Sequence, residues 1–127
     1  MKKHVLLIEP DKVLAKTYRV ALARAGIVAD WQINAQDSIK SVDSKQPEVI
    51  ILDVQLAGHN GIEFLYELRS YSDWQHIPVI ILSTVTADDL GLSDVTREKL
   101  HIVQYLYEPH TKLTELVEAV TTTIGGA

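Results

Sequence analysis

Four polar groups interrupt the apolar runs of this chain, and each carries side chains able to do chemistry: Glu9-Pro10-Asp11, Asp53, Ser83-Thr84 and Glu108-Pro109. If Glu9, Asp53 and Glu108 point into one crevice, the three carboxylates must bind a cation, share protons or let one member reach water. Glu108, in a loop, reaches solvent most cheaply. Other chemistries are excluded by composition: with no cysteine there is no disulfide framework, thiolate metal site or thiol catalysis. The five histidines, His4, His59, His76, His101 and His110, show no metal-ligand spacing and read as surface or loop residues. Trp31 and Trp74 read as packing residues.

The elements that must position these groups follow from periodicity. His4 to Ile8 is a short apolar run, the mark of a strand buried on both faces, and Lys12 to Ala25 then shows helical spacing with Gly26 at its cap. Ile27 to Trp31 reads as strand, Gln36 to Ser44 as helix and Val49 to Leu52 as the clearest buried strand, ended by Asp53. Gly58-His59-Asn60-Gly61 reads as a loop before a helix carrying Ile62, Phe64, Leu65 and Leu68. Val79 to Leu82 is a fourth strand closed by Ser83, and Val103 to Tyr107 a fifth. Between them, Thr86 and its following acids resemble a helix cap, but Gly91 and Ser93 make the helix behind it irregular. Thr111 opens a last helix through Leu113, Leu116, Val117, Val120 and Ile124. Five strand-then-helix units predict an α/β protein, a parallel sheet with helices on both faces and right-handed crossovers. In such a sheet the strand-ending polar groups share one edge, where ligands bind.

The 127 residues, 46% hydrophobic and 23% charged, describe one ordinary globular domain, expected over residues 1–124 with a flexible tail at 125–127. A net charge of −5 without a basic run gives no footprint for direct nucleic-acid binding. The apolar start is too short for a signal peptide or a membrane span, so a soluble, cytoplasmic protein is expected, with no membrane partner.

Order and spacing resemble the bacterial two-component response-regulator receiver domain over nearly the whole chain. Ile8-Glu9-Pro10-Asp11 stands where that family carries its acidic pair, and Val49-Ile50-Ile51-Leu52-Asp53 where it carries the phosphoacceptor strand. The loop from Asp53 to Gly61 is similar to the family's Asp-x-x-Met-Pro-x-x-Asp-Gly region. Pro78 to Ser83 resembles the strand ending in a hydroxyl, and Tyr105-Leu106-Tyr107-Glu108-Pro109 the aromatic switch segment followed by Lys-Pro. The resemblance implies a flavodoxin-like doubly wound (βα)5 fold of strand order 2-1-3-4-5. It also implies a phosphorelay signalling switch rather than an enzyme. Asp53 would be the phosphoacceptor, with Mg²⁺ held by Glu9, Asp53 and the backbone carbonyl of Gln55, and by Asp11 if that residue turns in. Ser83 would bond the phosphoryl group and Tyr105 would turn inward as the switch. The implied partners are a histidine kinase or histidine phosphotransfer protein, another signalling protein on the face of the fourth helix, fifth strand and fifth helix, and a second copy of the chain as a homodimer.

Departures from the family fall on the chemistry. Pro10 replaces the second acid, so the cation loses a ligand unless Asp11 supplies it, and Asp11 reads first as a helix cap. Glu108 replaces the family lysine, and for unit charges ~5 Å apart at an effective dielectric of ~20 this reverses the sign of about 3 kcal/mol of interaction with a phosphoryl group. Leu56-Ala57 stands for Met-Pro, Asn60 for the acid, and Thr84 adds bulk beside the crevice. A weakened Mg²⁺-phosphate site is expected. The alternatives are a pseudo-receiver acting as a phosphorylation-independent interaction module and, at a distance, a Mg²⁺-dependent phosphohydrolase, for which no lysine stands near Asp53.

Overall fold

A computed structural model describes residues 3–44, 46–56 and 59–125. In chain order the elements are β1 (Lys3–Ile8), α1 (Lys12–Arg24), β2 (Ile27–Gln32), α2 (Ala35–Ser44), β3 (Val49–Leu52), β4 (Gln55–Leu56), β5 (His59–Asn60) and α3 (Gly61–Arg69). A short 3₁₀ turn at Ser72–Trp74 leads to β6 (Val79–Ser83), α4 (Ala87–Leu90), α5 (Asp94–Lys99) and β7 (Ile102–Tyr107). A second 3₁₀ turn at Glu108–His110 precedes α6 (Leu113–Ile124).

The main sheet has the order β2-β1-β3-β6-β7, and each neighbouring pair is parallel. Counting only its own strands, this is 2-1-3-4-5, the flavodoxin-like arrangement. Alternation along each strand divides the core in two. Leu6, Ile8, Ile50, Leu52, Val79 and Ile81 meet Phe64, Leu65 and Leu68 of α3 on one face. Val5, Leu7, Val49, Ile51, Ile80 and Leu82 meet Ala15, Tyr18 and Leu22 of α1 with Leu116 and Val120 of α6 on the other. Continuous apolar strands are therefore required, because both faces are covered.

Several local readings are corrected by the fold. The segment before α3 is not only a loop: Gln55–Leu56 and His59–Asn60 pair as a two-stranded antiparallel ribbon, while Ala57 and Gly58 lie outside the described residues. The irregular helix is two helices. Thr86 caps α4 by accepting from the Asp89 N–H at 3.1 Å, Gly91 ends it at φ 73°, and Ser93 restarts the chain as α5 by accepting from the Thr96 N–H at 3.1 Å. Gly91-Leu92-Ser93 is thus a stop followed by a start. The last helix begins at Leu113 rather than Thr111, whose hydroxyl donates to the Tyr107 carbonyl at 2.8 Å and so closes the preceding turn. His4 is not a surface residue: it sits on an inner strand covered on both faces, is buried, and places Nε2 3.1 Å from Asp30 Oδ2. Of the expected tail, Gly125 donates its N–H to the Thr121 carbonyl at 2.9 Å and so closes α6, and residues 126 and 127 lie outside the described residues. No described helix is long and apolar enough to cross a membrane.

Candidate functional site

The carboxyl ends of β1, β3, β6 and β7 bring Glu9, Asp53, Ser83 and Glu108 to one edge of the sheet. Glu9 follows β1 directly. Its own N–H donates to the Gln32 carbonyl at 3.1 Å, and its carbonyl accepts from the Trp31 indole N–H at 2.8 Å. Trp31, expected only to pack, therefore fixes the backbone from which Glu9 projects. The Glu9 side chain is 4% exposed, and its Oε2 accepts from the Asp11 N–H at 2.9 Å.

Asp11 is exposed and does not turn into this crevice. Its Oδ1 accepts from the N–H groups of Val13 at 2.8 Å and Leu14 at 3.0 Å, so the carboxylate caps α1. The metal role drawn for Asp11 thus meets a competing local use. Asp53 is half-buried at the end of β3, and its N–H donates to the Ile8 carbonyl at 3.1 Å, tying it beside the start of the Glu9 segment. Gly61 shapes the loop beyond Asp53. Its N–H donates to the Val54 carbonyl at 2.8 Å, and a Cβ there would lie 2.7 Å from Val54 Cα and 3.0 Å from the Asp53 carbonyl oxygen. Only glycine permits that return of the chain onto the strand end.

The electrostatics are those of crowded anions. Burial, with Asp53, Asp11 and Glu108 nearby, pushes the Glu9 carboxyl up to about 7, against which the Asp11 N–H bond pulls it down. Burial raises the Tyr18 hydroxyl too, reinforced by Glu108, Glu9, Asp53 and Asp11. Tyr18 was legible only as an apolar-face position of α1, yet it is the side chain that senses all four acids. Its ring is 5% exposed, and its hydroxyl has no hydrogen-bond partner among the described residues. Glu108 is half-buried rather than released to water. It lines a cavity of about 220 Å³ between α1 and α6 together with Tyr18, Leu14, Leu82 and Lys112.

Ser83 and Tyr105 both bond to the backbone of Val85. Ser83 is 1% exposed, and its Oγ accepts from the Val85 N–H at 3.1 Å. The Tyr105 hydroxyl donates to the Val85 carbonyl. Burial raises the Tyr105 hydroxyl above its ordinary range, while a bond with Ser83 lowers it in part. Tyr105 is half-buried and packs against the core face formed with α3, so it is already seated inward. Among the described residues, no group of three or more His, Asp or Glu side chains is arranged to hold a metal ion. Two carboxylates remain, with the backbone of the ribbon at Gln55.

A profile of the response regulator receiver domain matches residues 5–121. The chain belongs to this family, and it is a receiver domain of two-component signal transduction. It is 31% identical over 98 residues to the KDP operon transcriptional regulatory protein KdpE of Escherichia coli, covering 72% of this chain and 42% of that protein. It is 33% identical over 86 residues to a protein-glutamate methylesterase/protein-glutamine glutaminase of Treponema denticola, covering 65% of this chain and 23% of that one. The chain therefore spans less than half the length of these curated relatives. A solved sensor protein from Polaromonas has TM-score 0.88 at 18% identity, covering 99% of this chain and 98% of that one. The chemotaxis response regulator CheY4 of Vibrio cholerae has TM-score 0.84 at 18% identity, covering 97% and 99%.

Proposed function

We propose that this receiver domain accepts a phosphoryl group on Asp53 at a site weakened by its own carboxylates, with a histidine kinase or histidine phosphotransfer protein as the source. The observation that carries the reading is the convergence of Glu9, Asp53, Ser83 and Glu108 at one sheet edge, in a chain whose family match runs from residue 5 to residue 121. An Asp53 carboxylate oxygen attacks phosphorus, the bond from phosphorus to the donor's leaving atom breaks, and the leaving group departs with that electron pair. Ser83 then supplies a hydroxyl donor to the new phosphoryl oxygens. Glu108 opposes their charge.

Mg²⁺ fits the acid pair in a limited way. Glu9, Asp53 and the carbonyl of Gln55 would hold it, since this ion keeps several waters and needs only one or two carboxylates. When bound it would neutralise phosphoryl oxygens. Of these groups the Glu9 carboxyl is raised to about 7, by burial and neighbouring acids. Signalling to a protein partner, or to a second copy, is assigned to the surface of α4, α5, β7 and α6, where Val95 is 76% exposed. The two-helix break at Gly91 gives that surface an outline of its own.

A second reading is favoured by Tyr105. Its hydroxyl is bonded to the Val85 carbonyl, and a pseudo-receiver would keep an output face fixed in that way. One experiment separates the two: intact-protein mass after incubation with acetyl phosphate and Mg²⁺, beside Asp53→Asn. Phosphoacceptor function predicts an adduct in the unsubstituted chain and none in the variant. Absence of an adduct, with labelling gained by Pro10→Asp plus Glu108→Lys, supports the pseudo-receiver.

A further inference from the structure

β2 lies at one end of the main sheet, so no described strand pairs with its outer side. The Gln32 carbonyl accepts from the Glu9 N–H on the β1 side. By alternation the N–H and C=O groups of Val28 and Asp30 turn the same way, and those of Ile27, Ala29 and Trp31 turn outward. At the Ala29 carbonyl the Arg19 Nε stands in for a strand, donating at 3.2 Å. The outward N–H groups meet no described strand, and an open row of this kind is a template for another chain.

Beside this edge, α1 and β2 form a groove of about 370 Å³, apolar along Val20, Ala23, Ile27 and Val28 and charged at Lys16 and Arg19. Val20 is 45% and Val28 39% exposed, so the apolar surface is open to solvent. α1 carries Lys12, Lys16, Arg19 and Arg24 and no acid, in a chain of net charge −5. Among the described residues none of these four cations is in an ion pair. The groove runs from the middle of α1 to the start of β2, toward the end of the sheet opposite Asp53.

Charge selects the occupant. Two copies paired edge to edge about a two-fold axis would bring their Lys16 and Arg19 sets together, and like charges across an interface oppose it. An acidic strand meets the opposite condition. We propose that this groove docks an extended acidic segment of a partner protein, added as a strand along β2. Ile27 and Ala29 face α1 with the core of that side, so side chains of the added strand on that face reach Lys16 and Arg19 and are acidic. Alternate side chains turn to the other face, where Val28 lies, and are apolar. No residue of the strand-end site takes part, so the inference stands apart from the phosphoacceptor reading.

The test titrates the full chain into a fluorescein-labelled octapeptide of alternating valine and glutamate, followed by anisotropy, with the valine-lysine octapeptide as control. Saturable binding of the acidic peptide and none of the basic one is expected. Lys16→Glu should weaken binding about tenfold, and Lys16→Glu with Arg19→Glu should abolish it. Raising salt from about 0.05 M to about 0.5 M should also weaken it about tenfold. With peptide bound, hydrogen exchange at the amides of Ile27, Ala29 and Trp31 should slow, as strand addition requires. Lys16→Glu leaves the Arg19 bond to β2 in place, so the single variant carries the test if the double variant melts lower. Absence of saturable binding up to about 1 mM protein overturns the inference. Binding that Lys16→Glu leaves unchanged, that the basic peptide shares, or that gives no protection at those three amides overturns it too. Self-association of the unsubstituted chain that Lys16→Glu abolishes would assign the groove to a second copy and likewise overturn it.

Discussion

The two ends of the same sheet treat charge in opposite ways. At the end where β6 and β7 begin, Arg69 of α3 donates to three backbone carbonyls, those of Leu100 at 3.0 Å, Trp74 at 2.6 Å and Ile77. One guanidinium so ties together three loop segments, and burial lowers it only to about 10, leaving it charged. At the end where the strands finish, Glu9, Asp53 and Glu108 gather, burial and the neighbouring acids raise the Glu9 carboxyl, and the Tyr18 hydroxyl has no hydrogen-bond partner among the described residues. The first end is arranged for stability, with a fork of donors meeting carbonyls that would otherwise be orphaned. The second gathers like charges at a buried strand end, which is how functional sites depart from the consistency of the surrounding fold.

Breaking the satisfied end should give the larger effect. Arg69→Ala is expected to destabilise the chain by about 3 kcal/mol, because three carbonyls lose a charged donor together. Arg69→Lys should recover only part of this, since an ammonium lacks the planar fork. Urea unfolding of the two variants checks the claim, and a loss below ~1 kcal/mol would remove the contrast between the ends.

The frustrated end should reveal itself through pH. Below about 4.5, the ordinary value, Glu9 is protonated in folded and unfolded chains alike, and its burial is not penalised. Between there and about 7 the folded chain keeps a proton that the unfolded chain has shed, so stability falls as pH rises. Above that range the full cost applies, on the order of 3 kcal/mol. In chelator, Glu9→Gln should therefore be more stable than the unsubstituted chain at pH 8 and equal to it at pH 4. Added Mg²⁺ should narrow the difference at pH 8. A pH-independent difference would mean that Glu9 is not the strained carboxylate.

The smallest effect sharpens the link between packing and site. Trp31→Phe removes the indole donor to the Glu9 carbonyl and is expected to lower stability by about 1 kcal/mol. It should also broaden the amide resonances of residues 9–11. Unchanged resonances there would show that the Gln32 carbonyl positions Glu9 unaided.

Much of the fold was legible because a parallel sheet covered on both faces demands unbroken apolar runs, and Val49 to Leu52 and Val79 to Leu82 satisfy that demand almost alone. Asp53, Ser83 and Glu108 were legible for the same reason, as abrupt polar stops to such runs. Tyr18 was not, since its spacing from Ala15 and Leu22 is that of any core-facing helix residue, and whether its hydroxyl finds a partner depends on what the last helix and the Glu108 turn place beside it. His4 was misread as a surface residue because burial at the start of β1 comes from helices distant in sequence.

Local patterns by themselves determined the five strands, the glycine breaks and the set of polar residues at one sheet edge, because periodicity, caps and parallel topology act over a few residues or follow from chain order. The long-range packing decided the rest: that Asp11 is used up as a cap, that Glu108 is half-buried, that Tyr105 is seated on Val85, and that the buried Tyr18 shares a cavity with Glu108. Those outcomes turn on desolvation and on which groups far apart in sequence are packed together, quantities that no local pattern encodes.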